Sequence, residues 1–313
     1  MGGERPSGRY KPGLSIRGCG PLYFSARSGG LSAANCAKKI GSDKYRENCS
    51  YCGRNEVMKI ATWNVNSIRL RLESVIEWLD ATGTDVLCLQ ETKVVDESFP
   101  FQAINDAGYQ VAFFGQKSYN GVAIISKHEI ADVQKGFYDD DEDAPKRLIA
   151  ATIKGIRVVN TYIPNGTELW TDKFTFKLDW LQRLRRMFDD SCDLNKDVLL
   201  CGDFNVAPDE LDVWSVPVWQ GKLHFSKPER AAIHHVKQWG FVDAFRKLNG
   251  DLQEFSWWNY REGSWQRNQG LRIDHIWVSP PLADKCTGCW IDKGPRALER
   301  PSDHTPVVAE FSI

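Results

Sequence analysis

The chain has 313 residues, and its 40 Lys and Arg residues nearly balance its 41 Asp and Glu residues. With 42% hydrophobic residues, this composition is typical of an ordinary globular protein of one large or two small domains. No apolar run approaches the roughly 18 residues that a membrane span requires, and the nine scattered cysteines do not resemble a disulfide framework. These features predict a protein of a reducing compartment, the bacterial-type cytoplasm, with no membrane association.

Residues 1–57 differ in character from the rest of the chain. They contain ten Gly, seven Ser and ten Lys or Arg, but four acidic residues and no apolar periodicity. Such a segment is predicted to be disordered, because it cannot bury enough apolar surface to offset the entropy lost on ordering. It is either sequence translated upstream of a true start at Met58, an organellar targeting peptide or a basic arm. We favour the first, because early Gly and Pro residues interrupt the amphipathic helix of a targeting peptide.

Residues 58–313 alternate between strand and helix patterns and are expected to form one α/β domain. One helix follows Ser67 as its cap, with Ile68, Leu72, Ile76 and Leu79 on one face, and a second spans residues 172–188. The Asn120-Gly121 pair predicts a hairpin. Short β-branched runs predict strands at residues 59–63, 86–89, 121–126, 148–153, 158–163, 198–201, 273–278 and 307–311. Hairpin strands interrupted by helices predict two packed mixed sheets with helices outside.

Short motifs rich in carboxylates and amides follow or precede several of these strands. They are Trp63-Asn64-Val65-Asn66, Gln90-Glu91-Thr92-Lys93, Gly202-Asp203-Phe204-Asn205, Arg272-Ile273-Asp274-His275 and Ser302-Asp303-His304. Placed where strands meet loops, they gather carboxylates, amides and an imidazole on the rim of a sheet. Groups of this kind hold a hard divalent cation and activate water.

Each of these residues has a plain alternative as a surface charge or a turn, and the argument rests on their combination. Glu91 beside Asn64 offers the oxygen pair that suits Mg²⁺, which needs only one or two protein carboxylates. Asp203 and Asn205 are two apart in an extended stretch, so their side chains point the same way. Asp274 is placed to hold the imidazole of His304 in one tautomer.

Residues 255–271 form a second distinctive feature, a polar and Gly-rich segment that contains Trp257, Trp258, Tyr260 and Trp265. Exposed aromatic rings beside Arg residues make a surface for stacking and phosphate binding. Ordinary core packing explains one or two of these tryptophans, but not all of them. Tyr162-Ile163-Pro164-Asn165-Gly166 likewise puts a phenol and an amide at the end of a strand.

These motifs, together with Val206-Ala207-Pro208 and Pro301, resemble the exonuclease III family of apurinic/apyrimidinic endonucleases, within the endonuclease/exonuclease/phosphatase superfamily. The resemblance covers residues 58–313 and implies a four-layer α/β sandwich. It further implies a Mg²⁺ site, with Mn²⁺ as an alternative ion, formed by Asn64, Glu91, Asp203, Asn205, Asp303 and His304. Asn66 stands where some relatives have a carboxylate, which weakens a second metal position.

The same resemblance assigns roles in catalysis and DNA binding. The implied catalytic residues are Tyr162, Asp203, Asn205, Asp274 and His304. The implied contacts to DNA and to an abasic sugar are Lys93, Asn165, Trp257, Arg261, Asn268 and Leu271. Without the first 57 residues the chain has 30 basic and 37 acidic residues, a net charge of about −7. Cations must therefore be concentrated on the DNA-binding face, where Lys93, Lys173, Arg261, Arg267 and Arg272 are candidates.

We therefore expect a monomeric, Mg²⁺-dependent DNA repair nuclease of base excision repair. It would cut double-stranded DNA 5′ to abasic sites and process blocked 3′ ends as a 3′→5′ exonuclease and 3′-phosphatase. Two alternatives stay open: a phosphatase of the same superfamily that acts on inositol phosphates or sphingomyelin, and a non-catalytic DNA-binding protein on the same fold. Sequence alone does not rank the three nuclease activities, decide between one metal and two, or decide whether Asp203 or His304 is the general base.

Overall fold

The structure, a computed structural model, describes residues 56–313. The expectations for the glycine-rich segment before Met58 fall outside these residues, except at its last two positions. There, Glu56 exchanges main-chain hydrogen bonds of 3.0 and 2.9 Å with Ile313, and the first strand begins at Val57. None of the helices in residues 56–313 combines the length and the apolar character needed to cross a bilayer.

The described residues form two six-stranded mixed sheets and the helices that cover them. The strands are β1 (Val57–Asn64), β2 (Val86–Gln90), β3 (Gln110–Phe114), β4 (Val122–Ser126), β5 (Ala131–Lys135), β6 (Leu148–Ile153), β7 (Ile156–Tyr162), β8 (Val198–Asp203), β9 (Val242–Asp243), β10 (Asp274–Val278), β11 (Cys286–Ile291) and β12 (Val307–Ser312). The helices are α1 (Ile68–Thr82), α2 (Phe101–Asp106), α3 (Asp172–Ser191), α4 (Val216–Trp219), α5 (Lys227–Lys237), α6 (Ala244–Asn249) and α7 (Pro280–Lys285).

Each sheet is built around one parallel pair of strands. The first sheet has the order β11-β12-β1-β2-β4-β3 and the second β5-β6-β7-β8-β10-β9. Strands β1 and β2 are parallel in the first sheet, β7 and β8 are parallel in the second, and the other pairings are antiparallel. Helix α1 connects the first pair and α3 the second, as a parallel connection requires.

Three apolar clusters account for the layers. Side chains from both sheets, such as Ile60 and Val158, form the central cluster between them. Trp180 and Leu184 of α3 pack with residues of α5 on the outer face of the second sheet. Val75 and Leu79 of α1 pack on the outer face of the first. The predicted four-layer α/β sandwich is therefore confirmed.

Two local predictions about the helices need correction. Ser67 does precede α1, but its side chain makes no capping hydrogen bond and its φ is 96°. The buried face of α1 is centred on Val75, Trp78 and Leu79, whereas Leu72 and Ile76 are only half-buried. Periodicity located the helix but not the centre of its buried face, because the large Trp78 side chain reaches the core from a flanking position.

The prediction that Arg272 binds phosphate is wrong. Its side chain is buried and forms ion pairs with Asp212 (2.7 Å) and Asp243 (2.8 Å). Arg246 also contacts Asp212, at 2.6 Å. Burial alone would raise the pKa of Asp243, but the Arg272 guanidinium lowers it far below the usual range. Arg272 therefore anchors the segment before β10 and is not available to DNA.

We predict that Arg272→Met costs about 3–5 kcal/mol of unfolding free energy at pH 7, because it leaves two buried carboxylates without their main cation. In the wild type, the lowered pKa of Asp243 adds to the free energy of unfolding at pH values above the unfolded-state pKa of about 3.8. This contribution is lost as the pH falls below that value. The difference between variant and wild type should therefore be fully present above about pH 5 and narrow as the pH falls below about 4 in urea titrations, because the contribution of Asp243 is lost there.

Lys135→Gln is the control, because it breaks an ion pair with Asp96 whose side chains are both more than a third exposed. It should cost less than about 1 kcal/mol. A similar cost for both variants would contradict the structural role of Arg272.

Candidate active site

The predicted site residues meet at one edge of the sandwich because of strand register. Asn64 ends β1 opposite Gln90, and Glu91 follows directly. Tyr162 ends β7 opposite Asp203, which ends β8 and is itself paired with Asp274, the first residue of β10. The parallel pairs of both sheets thus bring their carboxyl ends to the same edge, and the antiparallel neighbour β10 starts there.

Backbone conformation at this edge is unusual. Glu91 and Asn205 both have a φ of 52°, in the left-handed region that only a few per cent of non-glycine residues adopt. Gly202 has a φ of 135°, and a Cβ atom there would lie 1.8 Å from the Thr161 carbonyl oxygen. The close approach of β7 therefore requires glycine at this position.

Asp274, His304 and Asp203 form a buried line of charges. His304 Nδ1 lies 2.8 Å from Asp274 Oδ2, and His304 Nε2 lies 3.7 Å from Asp203 Oδ2. The Ser256 hydroxyl donates a 2.7 Å hydrogen bond to the same Asp274 oxygen. As predicted from the sequence, Asp274 fixes the imidazole, and the second ring nitrogen is directed toward Asp203.

The charges in this line alter one another's protonation. Burial alone would lower the pKa of His304, but the Asp274 and Asp203 carboxylates raise it to about 10. Burial raises the pKa of Asp203 to about 7, although the positive charge of His304 opposes the shift. The imidazole therefore carries both protons near neutral pH, with Nδ1–H directed to Asp274 and Nε2–H to Asp203.

Glu91, Asp203 and His304 each place one potential ligand atom within 4.8 Å of the others, although His304 offers no lone pair to a cation while both of its ring nitrogens carry protons. Two carboxylates match the needs of Mg²⁺, which binds few protein oxygens and keeps several of its waters. In the structure, the Lys93 ammonium lies 2.8 Å from Glu91 Oε2. The Asn64 amide donates hydrogen bonds to both Glu91 (2.7 Å) and Asp203 (2.9 Å), so one cation and one neutral donor already contact these carboxylates.

The other predicted metal ligands lie in the same region but have protein partners. Asp303 accepts hydrogen bonds from Trp257 Nε1 and from Asn66 Nδ2, both at 3.0 Å. Asn205 donates to Asp203 (3.2 Å) and accepts from the Asn165 amide (3.0 Å). Glu91 and Asp203 are therefore the strongest ligand candidates, and a direct role for Asp303, Asn64 or Asn205 in metal binding stays a prediction.

Tyr162 lies at this edge with Arg147, a residue that the sequence analysis did not identify. The Arg147 guanidinium stacks 4.5 Å from the centre of the Tyr162 ring. It also donates a 3.2 Å hydrogen bond to the main-chain carbonyl oxygen of Tyr162. Burial, followed by the charges of Glu91 and Asp203, raises the pKa of Tyr162 well above its usual value. The phenol is therefore a neutral hydrogen-bond donor. No motif marks Arg147, because it precedes β6 and reaches Tyr162 only across strands.

An open groove of about 640 Å³ adjoins Tyr162 and Glu91. Its lining includes the cations Lys93, Arg147 and Lys173. The net negative charge of the domain led us to expect positive charge to be concentrated at the DNA-binding face. Two of the five candidate cations, Lys93 and Lys173, line this groove. Arg261 and Arg267 are exposed in the aromatic segment, where Arg267 bonds the Glu262 carbonyl.

The aromatic segment divides into a buried part and an accessible part. Trp258 is fully buried, stacks edge-to-face with Trp265 and donates to Asn268 Oδ1 at 3.2 Å. Trp257 is partly accessible, and its indole N–H donates a 3.0 Å hydrogen bond to Asp303 Oδ2. Its main chain pairs with that of Leu271. Leu271 is fully buried, so Trp257 is the accessible member of the predicted pocket pair.

His224 is a second residue that the sequence analysis missed. Its Nδ1 lies 2.7 Å from the Asn205 carbonyl oxygen, and its ring is 6.2 Å from that of Trp257. Burial lowers the pKa of His224 to about 4, so the ring is neutral. Its position in the loop before α5 is far from the motifs along the chain, and only the fold brings it to Asn205.

The chain that forms this site is similar to known proteins, and the similarity identifies its family. A sequence model of the endonuclease/exonuclease/phosphatase family matches residues 61–304. The chain belongs to this family. It is 38% identical to exodeoxyribonuclease III of Haemophilus influenzae over 266 residues, which cover 81% of this chain and all of that protein.

Solved structures lead to the same group within the family. The chain is similar to an AP endonuclease from Archaeoglobus fulgidus (42% identity, TM-score 0.79) and to a 3′–5′ exonuclease from Neisseria meningitidis (41% identity, TM-score 0.80). Each comparison covers 82% of this chain and all of the other. The predicted resemblance is confirmed, and this family member is a phosphodiester hydrolase of the exodeoxyribonuclease III type.

Glu91→Gln keeps the shape of the side chain but removes one charge from the candidate cation group. We predict a loss of activity of at least about 100-fold at limiting Mg²⁺, comparable to deleting one electrostatic contact in a transition state. Higher Mg²⁺ should restore part of it in a metal titration of the rate. A near-normal rate at limiting Mg²⁺ would exclude Glu91 from the metal site.

Asp203→Asn and His304→Asn should each nearly abolish turnover while DNA affinity stays within a few-fold of wild type, because both side chains face the reacting centre and not the wider groove. The double variant should be little worse than the worse single variant, since residues of one catalytic unit are not additive. Single-turnover rates and equilibrium binding check this. Retained turnover with lost affinity would show that the assigned role is wrong.

Proposed function

We propose that this nuclease acts in base excision repair and hydrolyses the phosphodiester bond 5′ to an abasic site in double-stranded DNA. The products would be a 3′-hydroxyl and a 5′-deoxyribose phosphate. The observation that carries the proposal is the Asp274–His304–Asp203 line beside Glu91, at the end of a cationic groove and close to the accessible Trp257. We further propose that the protein acts as a monomer in the bacterial-type cytoplasm.

The proposed mechanism is in-line attack of water on the phosphorus atom. Asp203, directed at the centre of the site, would orient the water and take its proton. His304 carries a proton on each ring nitrogen, with Nδ1–H bound by Asp274, so its Nε2–H would donate to a non-bridging phosphate oxygen. Tyr162 and Asn205 would donate to the remaining oxygens, as preorganised donors do around a developing negative charge.

A divalent cation, Mg²⁺ or Mn²⁺, bound by Glu91 and Asp203 would neutralise charge on the phosphate and the leaving oxygen. Lys93, which lies 2.8 Å from Glu91, would turn toward the DNA backbone once Glu91 binds a cation. Lys173 and Arg147 line the same groove and would contact neighbouring phosphates. The exposed residues Arg261 and Asn268 would extend this contact along the duplex.

Hydrolysis at 3′ ends is the second proposed activity. The solved structure of a 3′ phosphatase from Neisseria, bound to a product DNA hairpin, is 40% identical to this chain with a TM-score of 0.79. The same reacting groups would serve a terminal phosphate or a terminal nucleotide, because they contact the phosphate and not a base. We therefore expect 3′-phosphatase and 3′→5′ exonuclease activity in addition to incision.

The deciding experiment compares three duplexes with Mg²⁺ or with chelator: one with a central abasic site, one with a 3′-phosphate and one with a recessed 3′-hydroxyl. The proposal expects Mg²⁺-dependent incision 5′ to the abasic site and a product that a polymerase can extend. Cleavage of inositol phosphates or sphingomyelin with no reaction on any duplex would establish the phosphatase alternative. Binding of DNA without hydrolysis of any substrate would establish the non-catalytic one.

Trp257→Ala tests recognition separately from chemistry. An abasic sugar carries no base, so it can turn out of the helix into an apolar pocket too small for a normal nucleotide. Loss of the Trp257 wall should cost on the order of 1–3 kcal/mol in abasic incision, the range for aromatic contacts to nucleotides. Hydrolysis of a small phosphodiester should change much less, as measured by kcat/KM on both substrates.

Two variants sharpen this test. Trp257→Phe keeps a ring but loses the hydrogen bond to Asp303, so it separates packing from orientation of that carboxylate. Trp290→Ala removes a comparable, 38% exposed tryptophan from β11 and should leave both activities unchanged. Equal losses on both substrates with Trp257→Ala would show that Trp257 acts through the fold and not through substrate contact.

A further inference from the structure

Lys177, in the second turn of α3, is a fully buried lysine close to the active site. Its three ammonium hydrogens have three acceptors. Nζ lies 2.8 Å from the Asn205 carbonyl oxygen, 3.1 Å from the Asn165 carbonyl oxygen and 2.5 Å from Glu229 Oε1. One side chain thus connects the residues that follow β7 and β8, the two strands that α3 joins.

The partner carboxylate is also fully engaged. Glu229 Oε1 accepts from the His224 main-chain N–H at 3.0 Å, and Oε2 accepts from the Ser226 hydroxyl at 2.5 Å. Ser226 and Glu229 form the capping box at the start of α5. The network therefore extends from α3 through the two strand ends to α5, and its central ion pair, Lys177–Glu229, is fully shielded from water.

The two carbonyl groups that Lys177 holds belong to residues whose side chains face the site. The Asn165 amide donates to Asn205 Oδ1 at 3.0 Å, and the Asn205 amide donates to Asp203. Asn205 has a φ of 52°, in the left-handed region that non-glycine residues seldom adopt. Its backbone conformation therefore depends on contacts with the surrounding protein. A left-handed Gly166 brings the strand end so close that a Cβ there would lie 3.1 Å from Lys177 Cδ.

Stability alone is a weak reason for such a network. A buried ion pair is often replaced by apolar residues of similar volume with no loss of stability, because desolvation opposes the attraction between the charges. An apolar side chain at Lys177 would, however, remove the donor to the Asn165 carbonyl oxygen and leave the Asn205 carbonyl oxygen with His224 Nδ1 alone. The network thus fixes carbonyl directions more effectively than it stabilises the fold.

We propose that Lys177 is a positioning residue of the nuclease reaction: by holding the Asn165 and Asn205 carbonyl groups, it orients the Asn205 amide at the phosphate, both directly and through the Asn165 amide that bonds Asn205. Glu229 compensates its charge and fixes the ammonium. The inference rests on the proposed role of Asn205 at the phosphate, and it assigns Lys177 no contact with substrate. A shift of the amides by an ångström is enough to reduce a rate severely.

The test uses the full chain and the neutral pair Lys177→Met/Glu229→Gln, which avoids a single unpaired buried charge. We expect kcat for the DNA substrate to fall at least about tenfold with KM within about threefold of wild type. Leu184→Ala is the control, because it removes buried apolar contacts from the same helix but no contact to either strand end. It should keep kcat within about twofold. An unchanged kcat in the folded neutral pair would overturn the proposal.

A cycle with Asn205→Ala separates positioning from a general loss of order. If Lys177 acts through Asn205, the neutral pair should lower kcat by less than about twofold in the Asn205→Ala background. The same tenfold loss in both backgrounds would overturn the inference. If the neutral pair does not fold, Glu229→Gln alone decides: a loss of about threefold in kcat supports the proposal, and no loss overturns it.

Hydrogen exchange provides a readout that needs no substrate. Peptides containing Asn165 and Asn205 should exchange faster in the neutral pair than in Leu184→Ala, while the central strands remain protected in both. Wild type that cleaves no DNA would contradict the proposed function. Unchanged exchange at these peptides would contradict the role of Lys177, whichever substrate the enzyme uses.

Discussion

Hydrogen bonds between the two sheets hold the halves of the active site together. The Asn160 amide nitrogen donates to the carbonyl oxygens of Leu89 and Ala123, both at 2.9 Å, and its oxygen accepts from Gln90 at 2.7 Å. Asn160 lies two residues before Tyr162 on β7, and Gln90 immediately precedes Glu91. Apolar contacts between sheets are non-directional, whereas these buried bonds fix the register of one sheet against the other.

The need for that register follows from where the reactive groups originate. Glu91 belongs to the first sheet, and Tyr162, Asp203 and Asp274 belong to the second. A small displacement of one sheet along the other would separate Glu91 from Asp203, even if both sheets kept their own hydrogen bonds. The candidate cation group would then be lost. Asn160 and Gln90 are fully buried, so breaking their bonds would leave polar groups without water. The edge of the sandwich is consequently much stiffer than a set of loops would be.

The site concentrates negative charge, and the surrounding protein compensates it with specific partners. Lys93 and Asn64 contact Glu91, the imidazolium of His304 lies between Asp274 and Asp203, and Trp257 and Asn66 bond Asp303. Two further buried cations act one step away from the reacting groups. Arg272 anchors the segment before Asp274, and Lys177 binds the carbonyl of Asn205. The acidic domain can thus present a cationic groove because many of its carboxylates are already paired inside the protein.

The sequence by itself determined the fold class and the position of most predicted site residues at one edge of the sheets. Strand ends are recognisable from β-branched runs that stop at polar residues, so Asn64, Glu91, Asp203 and Asp274 could be placed on one edge before the structure was known. The Asp274–His304 contact followed from the same reasoning. These predictions succeeded because they depend on the pattern of apolar and polar residues and on the geometry of parallel strands. Both can be inferred from short segments of the sequence.

Only the tertiary structure decided which polar side chains face inward and which partners they meet. Arg272 and Lys173 are equally plausible phosphate ligands in the sequence, yet Arg272 is buried between two aspartates. Lys177 looks like a surface residue of an amphipathic helix, and Arg147 and His224 belong to no motif. Their roles depend on contacts between residues 12 to 52 positions apart, and the energy of a buried charge is set by such distant partners rather than by its neighbours in the chain.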